Sequence, residues 1–147
     1  MDDANRQIEQ QMTTLLRRVQ RIHISTSSGD MVLDRSAYGI MARLADDGPQ
    51  RLGALASAFG LDPSTITRQV QALERAGLAE RSTDPSDRRA SILHLTEEGS
   101  TVLEKTREHR RERLYAVLSE WPEEDRAEFG RLLAKFNTSM DALLARS

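Results

Sequence analysis

From Asp62 to Leu73 the chain reads DPSTITRQVQAL. Laid on a helical wheel at ~100° per residue, Ile66, Val70 and Leu73 fall within ~60° of one another. Ser64, Arg68, Gln71 and Arg75 lie opposite, with Thr65 and Thr67 flanking them nearer the helix start. Hydroxyls, an amide and guanidinium groups are donors and acceptors suited to phosphate oxygens and base edges. Arg68 is long enough to reach the O6 and N7 of a guanine with two hydrogen bonds, and Gln71 matches the N6 and N7 of an adenine. Ser64, Thr65 and the free N–H groups of the helix start suit phosphate. The outer face of an ordinary surface helix carries Glu and Lys, whereas no acid stands from Pro63 through Leu73. A solvated polar face is the blander reading, and the surroundings decide between the two.

A second stretch, 84-DPSDRRASILHLTEEG-99, follows at once. Asp87, Arg88 and Arg89 stand on a stiff turn, Pro85 fixing its backbone, and the chain then becomes strand-like. On its own, Asp87-Arg88-Arg89 reads as a surface ion pair of little energetic weight. Beside a helix that reads a major groove, a two-stranded projection meets the neighbouring minor groove. There the negative potential of narrow A·T tracts holds arginine. Asp87 makes no sense against phosphate, but it does as a partner that fixes an arginine or caps the turn.

The elements that must hold these residues follow from periodicity and caps. Residues 4–25 read as a helix, with Ile8, Met12, Leu15, Val19 and Ile22 spaced as a heptad seam that favours helix–helix association. The segment 25-STSSGD-30 breaks it. Asp34 can cap a helix over 35–46, which turns Ala37, Ile40, Met41 and Leu44 inward. A short helix over 52–59 precedes a turn at Gly60-Leu61. Asp62 as N-cap and Pro63 as first helical residue then start the helix described above, with Gly77 after its end. Two helices joined by a short turn containing Gly form a helix-turn-helix. Residues 78–83 and 90–95 read as two strands joined by 84–89. Thr96 caps a long helix with Val102, Leu103, Thr106, Leu114, Val117 and Leu118 as candidates for its buried face. A last helix carries Phe129, Leu132, Leu133, Phe136, Met140, Leu143 and Leu144 in amphipathic spacing. The expected fold is mainly α with a small β-hairpin wing: a winged helix-turn-helix over 31–96, flanked by helical dimerisation regions over 1–30 and 97–147. Ile8, Met12, Leu15, Val19, Leu133, Phe136, Met140, Leu143 and Leu144 are the expected dimer contacts. Their apolar faces exceed what one small domain needs, and a second copy would cover the surplus.

Composition narrows the function further. With no Cys in 147 residues, disulfides, thiol sensing and Cys-based zinc sites are excluded within the chain. The three His (His23, His94, His109) lie far apart, without the spacing of a metal site, paired acids or a nucleophile motif, so neither an enzyme nor a metal or cofactor protein is expected. No apolar run approaches the length of a membrane span, and the acidic, polar start is unlike a secretory signal, so the cytoplasm is the simplest location. The net charge of −2 does not advertise nucleic-acid binding. Local charge matters more: residues 51–95 hold six arginines against five acids, and the arginines can share a face.

Taken together, 52-LGALASAFGLDPSTITRQVQALERAGLAER-81, 84-DPSDRRA-90 and 93-LHLTEEG-99 resemble the MarR family of bacterial transcription regulators. The resemblance covers nearly the whole chain. It rests on L-E-x-x-G-L, D-x-x-D-R-R and L-T-x-x-G at the expected distances. It implies a homodimer with interlocked terminal helices and a winged helix-turn-helix lobe on each side. It also implies binding to double-stranded DNA at a palindromic operator, commonly as a repressor. By position, Ser64, Thr65, Thr67 and Arg68 match the family's major-groove residues, and Asp87 and Arg89 match the wing's D-x-R element. The family often responds to small phenolic or aromatic-acid effectors held between the dimerisation helices and the DNA lobe. His23, Met31, Tyr38 and Met41 could line such a site, although core or loop is the simpler reading of each. A winged helix used only for protein contacts is the alternative from another class, and a ligand-independent regulator or an activator would use the same residues.

Overall fold

The computed structural model describes residues 2–18, 21–26 and 29–147. Helix α1 (Asp3–Arg18) carries Ile8, Met12 and Leu15 on its surface, and none of its residues is buried. Val19, expected on the same seam, lies outside the described residues. The helix expected to reach residue 25 does not do so. Strand β1 (Arg21–Thr26) pairs antiparallel with β2 (Gly29–Asp34), setting Ile22 opposite Leu33 and Ile24 opposite Met31. Ile22, Ile24 and Thr26 are β-branched and alternate with the exposed His23 and Ser25, which is a strand's two-residue period. Ile22 also continues the heptad count, and that coincidence extended the helix too far in the sequence reading.

Helix α2 (Arg35–Asp47) starts as its sequence dictates, with the Asp34 carboxylate accepting the Ala37 N–H at 2.8 Å. A two-residue strand β3 (Gln50–Arg51) leads into α3 (Leu52–Phe59), and α4 (Pro63–Arg75) follows the turn. Strands β4 (Ala79–Asp84) and β5 (Asp87–Leu95) form the wing, and the three strands pair in the order β3-β5-β4. Ile40, Met41, Leu55, Ile66, Val70, Leu73, Leu78 and Leu93 fill the core between helices and sheet. The hairpin is longer than the sequence suggests. Its strands run to Asp84 and from Asp87, so Arg88 and Arg89 lie in a strand and not in the connection.

The glycine motifs that close the recognition lobe have a local physical cause. Gly77 has φ +73°, a left-handed conformation that suits glycine, and the chain then turns so that Leu78 N–H reaches Leu73 O at 3.0 Å. The Leu78 carbonyl accepts Thr96 N–H at 3.1 Å, and the Thr96 hydroxyl donates to Gly77 O at 2.6 Å. The same hydroxyl oxygen accepts Gly99 N–H at 3.0 Å and so starts α5 (Glu97–Leu118). A Cβ on Gly99 would stand 2.0 Å from the Leu78 carbonyl oxygen. G-L and L-T-x-x-G are thus the two halves of one joint.

Residues 1–107 and 108–147 form two compact units. In the first, Val102, Leu103 and Thr106 of α5 are buried, as expected. The second holds the end of α5 and α6 (Glu123–Leu144). Leu114 and Val117, expected to be buried, are exposed there, and α6 has no buried residue. Trp121 packs edge-on against Phe129, ring centroids 5.6 Å apart. Among the described residues no helix is long and apolar enough to cross a membrane, and no three His, Asp or Glu side chains group as metal ligands.

Candidate nucleic-acid interface

Helix α4 divides as the wheel predicts. Ile66, Val70 and Leu73 are buried, while Ser64, Arg68, Gln71 and Arg75 are exposed and Thr65 and Thr67 half-buried. The start of the helix is more occupied than expected. The Asp62 carboxylate accepts the Thr65 N–H at 2.8 Å and the Ser64 hydroxyl at 2.6 Å. These bonds, the Ser64 hydroxyl foremost, lower the Asp62 pKa to about 2, so an anion caps α4 at any physiological pH. The Thr65 N–H is therefore not free for phosphate, and the Ser64 proton is committed to Asp62. The Thr67 hydroxyl donates back to Pro63 O at 2.7 Å. Arg68 approaches the Thr65 hydroxyl oxygen at 3.4 Å, a long contact that leaves its fork available. Donor capacity on this face rests with Arg68, Gln71 and Arg75.

Two residues that the sequence reading passed over build the wing. Asp84, only 5% exposed, accepts the Ser86 N–H at 2.9 Å and the Ser86 hydroxyl at 2.8 Å. Arg51 reaches it from β3, its Nε 2.6 Å from Asp84 Oδ2, and a second nitrogen lies 3.3 Å from the Ser86 hydroxyl. The Ser86 donors first, and Arg51 after them, hold the Asp84 carboxyl below the usual carboxylate range, against the opposing effect of burial. Asp87 accepts the Arg89 N–H at 3.1 Å, and its carboxylate lies 3.6 Å from Arg89 Nε. The Arg89 side chain is 95% exposed. Arg88 is exposed too, but as a strand neighbour it leaves the other face of the ribbon. Arg81 of β4 pairs with Glu74 at 2.8 Å, fastening the wing's base to the end of α4.

The residues considered for an effector site are not gathered into one place. Tyr38 and Met41 are in the core, His23 is exposed on β1 and Met31 is half-buried on β2. An open hollow of about 370 Å³ beside the end of α4 includes Met31 with Asp30, Ala72, Arg75 and Ala76. A neighbouring one of about 320 Å³ is lined by Leu33, Asp34, Thr65, Arg68 and Gln69 among others.

A sequence profile described as the MarR family matches residues 33–91, the span from β2 into the wing. YxaD of Bacillus subtilis, an uncharacterised HTH-type transcriptional regulator, is 38% identical over 131 residues, 88% of this chain and 90% of its own length. The chain belongs to the MarR family. NicR of Pseudomonas putida, an HTH-type transcriptional repressor, is 30% identical over 107 residues, covering 71% of this chain and 68% of NicR. A MarR family protein from Bacillus stearothermophilus superposes with a TM-score of 0.66 at 28% identity, over 74% of this chain and 76% of that one. The crystal structure of MarR itself shares the fold, with a TM-score of 0.70 at 22% identity over 78% of each chain. Like its MarR relatives, this chain is a DNA-binding regulator of transcription and not an enzyme. The winged helix-turn-helix holds both arginine-bearing elements, α4 and the β4–β5 hairpin, on one lobe.

Proposed function

We propose that this MarR-family chain works as a homodimer that represses transcription from a palindromic operator, α4 in the major groove and the wing in the minor groove. The observation that carries the reading is the outer face of α4, where Arg68, Gln71 and Arg75 stand exposed without an acid from Pro63 through Leu73, beside a wing whose Arg89 is almost wholly free of the protein surface. Arg68 and Gln71 take the base-reading roles, and Arg88 and Arg89 the wing contacts, with Asp87 orienting Arg89. Ser64, Thr65 and Thr67 contribute shape against the groove, the Ser64 and Thr67 hydroxyl protons being held within the helix. A two-fold dimer built on residues 1–30 and 97–147 implies a two-fold operator. Such a regulator works where the chromosome is, in the cytoplasm. NicR, a relative, is a repressor. Release by a small phenolic or aromatic acid belongs to the same reading, in which Arg75, beside Asp30 in the hollow next to Met31, is the cation a ligand's carboxylate would contest with DNA.

Footprinting of the purified protein on DNA upstream of its own gene, across a salt series, tests this. The expected result is a protected palindrome with half-sites about one helical turn apart. Absence of protection on every fragment at low salt would favour the protein-contact reading of the winged helix instead.

A further inference from the structure

The wing stands out from the lobe as a two-stranded ribbon, and such ribbons hold their direction poorly alone. β3 covers only its inner part, pairing Gln50 with Leu93 and Arg51 with Ile92. Ile92 in turn faces Ser82, and Asp84 lies two residues further toward the tip. The Arg51 side chain spans that gap. Its guanidinium binds Asp84 and touches Ser86, bridging 33 residues of sequence from the body of the lobe to the last residue of β4. A two-residue turn beyond Asp84 leads to Asp87, which holds Arg89. Two Arg51 nitrogens converge on Asp84 Oδ2 while Ser86 occupies Oδ1, and an aspartate this buried and held at both oxygens has little freedom to move. Pro85 stiffens the two-residue turn between the anchored residue and the arginine-bearing strand.

We propose that Arg51 and Asp84 form a strut that sets the direction of the wing, and so are positioning residues for DNA binding that act through Arg89. The proposal rests on the DNA-binding mode set out above. It assigns Arg51 no contact with DNA: Nε and one terminal nitrogen of its guanidinium are held by Asp84 and Ser86. Losing the strut leaves α4 untouched and lets Arg89 wander from the groove.

A double-mutant cycle tests it. The duplex is one recovered from a random pool by selection with the unaltered protein, and affinity is read by fluorescence anisotropy for Arg51→Ala, Arg89→Ala and the double variant. Arg51→Ala is expected to weaken binding about tenfold alone and by less than about twofold in the Arg89→Ala background. Hydroxyl-radical footprints should lose the minor-groove flanks and keep the central protection. Asp84→Asn, nearly isosteric, should reproduce the Arg51→Ala pattern, and Arg51→Lys should restore part of it. Thermal melting of each variant separates a loose wing from an unfolded lobe. If Arg51→Ala does not fold, Asp84→Asn and Arg51→Lys carry the same cycle. Additive losses, or uniform fading of the whole footprint, would overturn the strut while leaving the DNA-binding mode intact. Failure of the unaltered protein to select any duplex would remove both.

Discussion

In the proposed binding mode, base recognition turns on Arg68. Its side chain is exposed on α4 and makes only a long contact to Thr65, so its fork is free to meet a guanine edge. Arg68→Ala is expected to weaken operator binding by about 1–3 kcal/mol and to relax preference at one base position, measured by titrating a set of single-base operator variants. An equal loss on operator and random DNA would make Arg68 a phosphate contact. Asp62 has a separate signature. Its pKa, lowered to about 2 by Ser64 and Thr65, lies below that of an unfolded aspartate. The stability it adds is therefore fully present above about pH 4 and lost as pH falls toward 2. Urea unfolding across that window should show a decline that Asp62→Ala flattens, with lower stability than the parent at pH 7. The exposed face of α4 was legible in the sequence because one helix's periodicity fixes it. Asp84 was not, because its role depends on a partner 33 residues away, and nothing local distinguishes a buried anchor from a polar turn residue.

Elements were legible where caps and periods agreed. Asp34, Asp62 and Thr96 each accept the amide they were expected to cap. Residues 21–25 were misread as helix because a helical and a strand period coincide at Ile22, and β3 was missed because two residues carry no period. The joint between α4 and α5 shows what a motif encodes. The Leu78 carbonyl sits where a Gly99 side chain would be, and backbone cannot yield as a flexible side chain can. Gly99→Ala is expected to destabilise the lobe by about 1–3 kcal/mol, read as a lower urea midpoint with unchanged slope. The wing answers to a different measurement. Arg89→Ala should weaken binding most on operators with A·T-rich flanks, where a narrow minor groove draws arginine in. Indifference to flank composition would count against insertion.

At the scale of the molecule, α1 and α6 each leave large apolar side chains exposed. A helix in water owes most of its stability to packing of one face, yet α6 runs 22 residues without a buried side chain. Leu15 is 57% and Leu133 43% exposed, with Phe136, Met140, Leu143 and Leu144 in the same condition. An exposed apolar stripe of this kind on a helix marks an association site. A second copy is the partner that the proposed palindromic operator calls for, since two recognition helices on one palindrome would gain from each other's binding. Leu15→Arg or Leu133→Arg places a charge on one of these helix faces, which is harmless if the face meets water and disruptive if it meets another chain. Sedimentation should then show monomers, and affinity for the full operator should fall by ~100-fold or more while a single half-site is bound about as before. The surviving half-site contact meets fewer phosphates than the full dimer does, so its affinity should fall less steeply with salt. A charged variant that stays monomeric yet binds the palindrome at full strength would refute the dimer, and the two-fold operator with it.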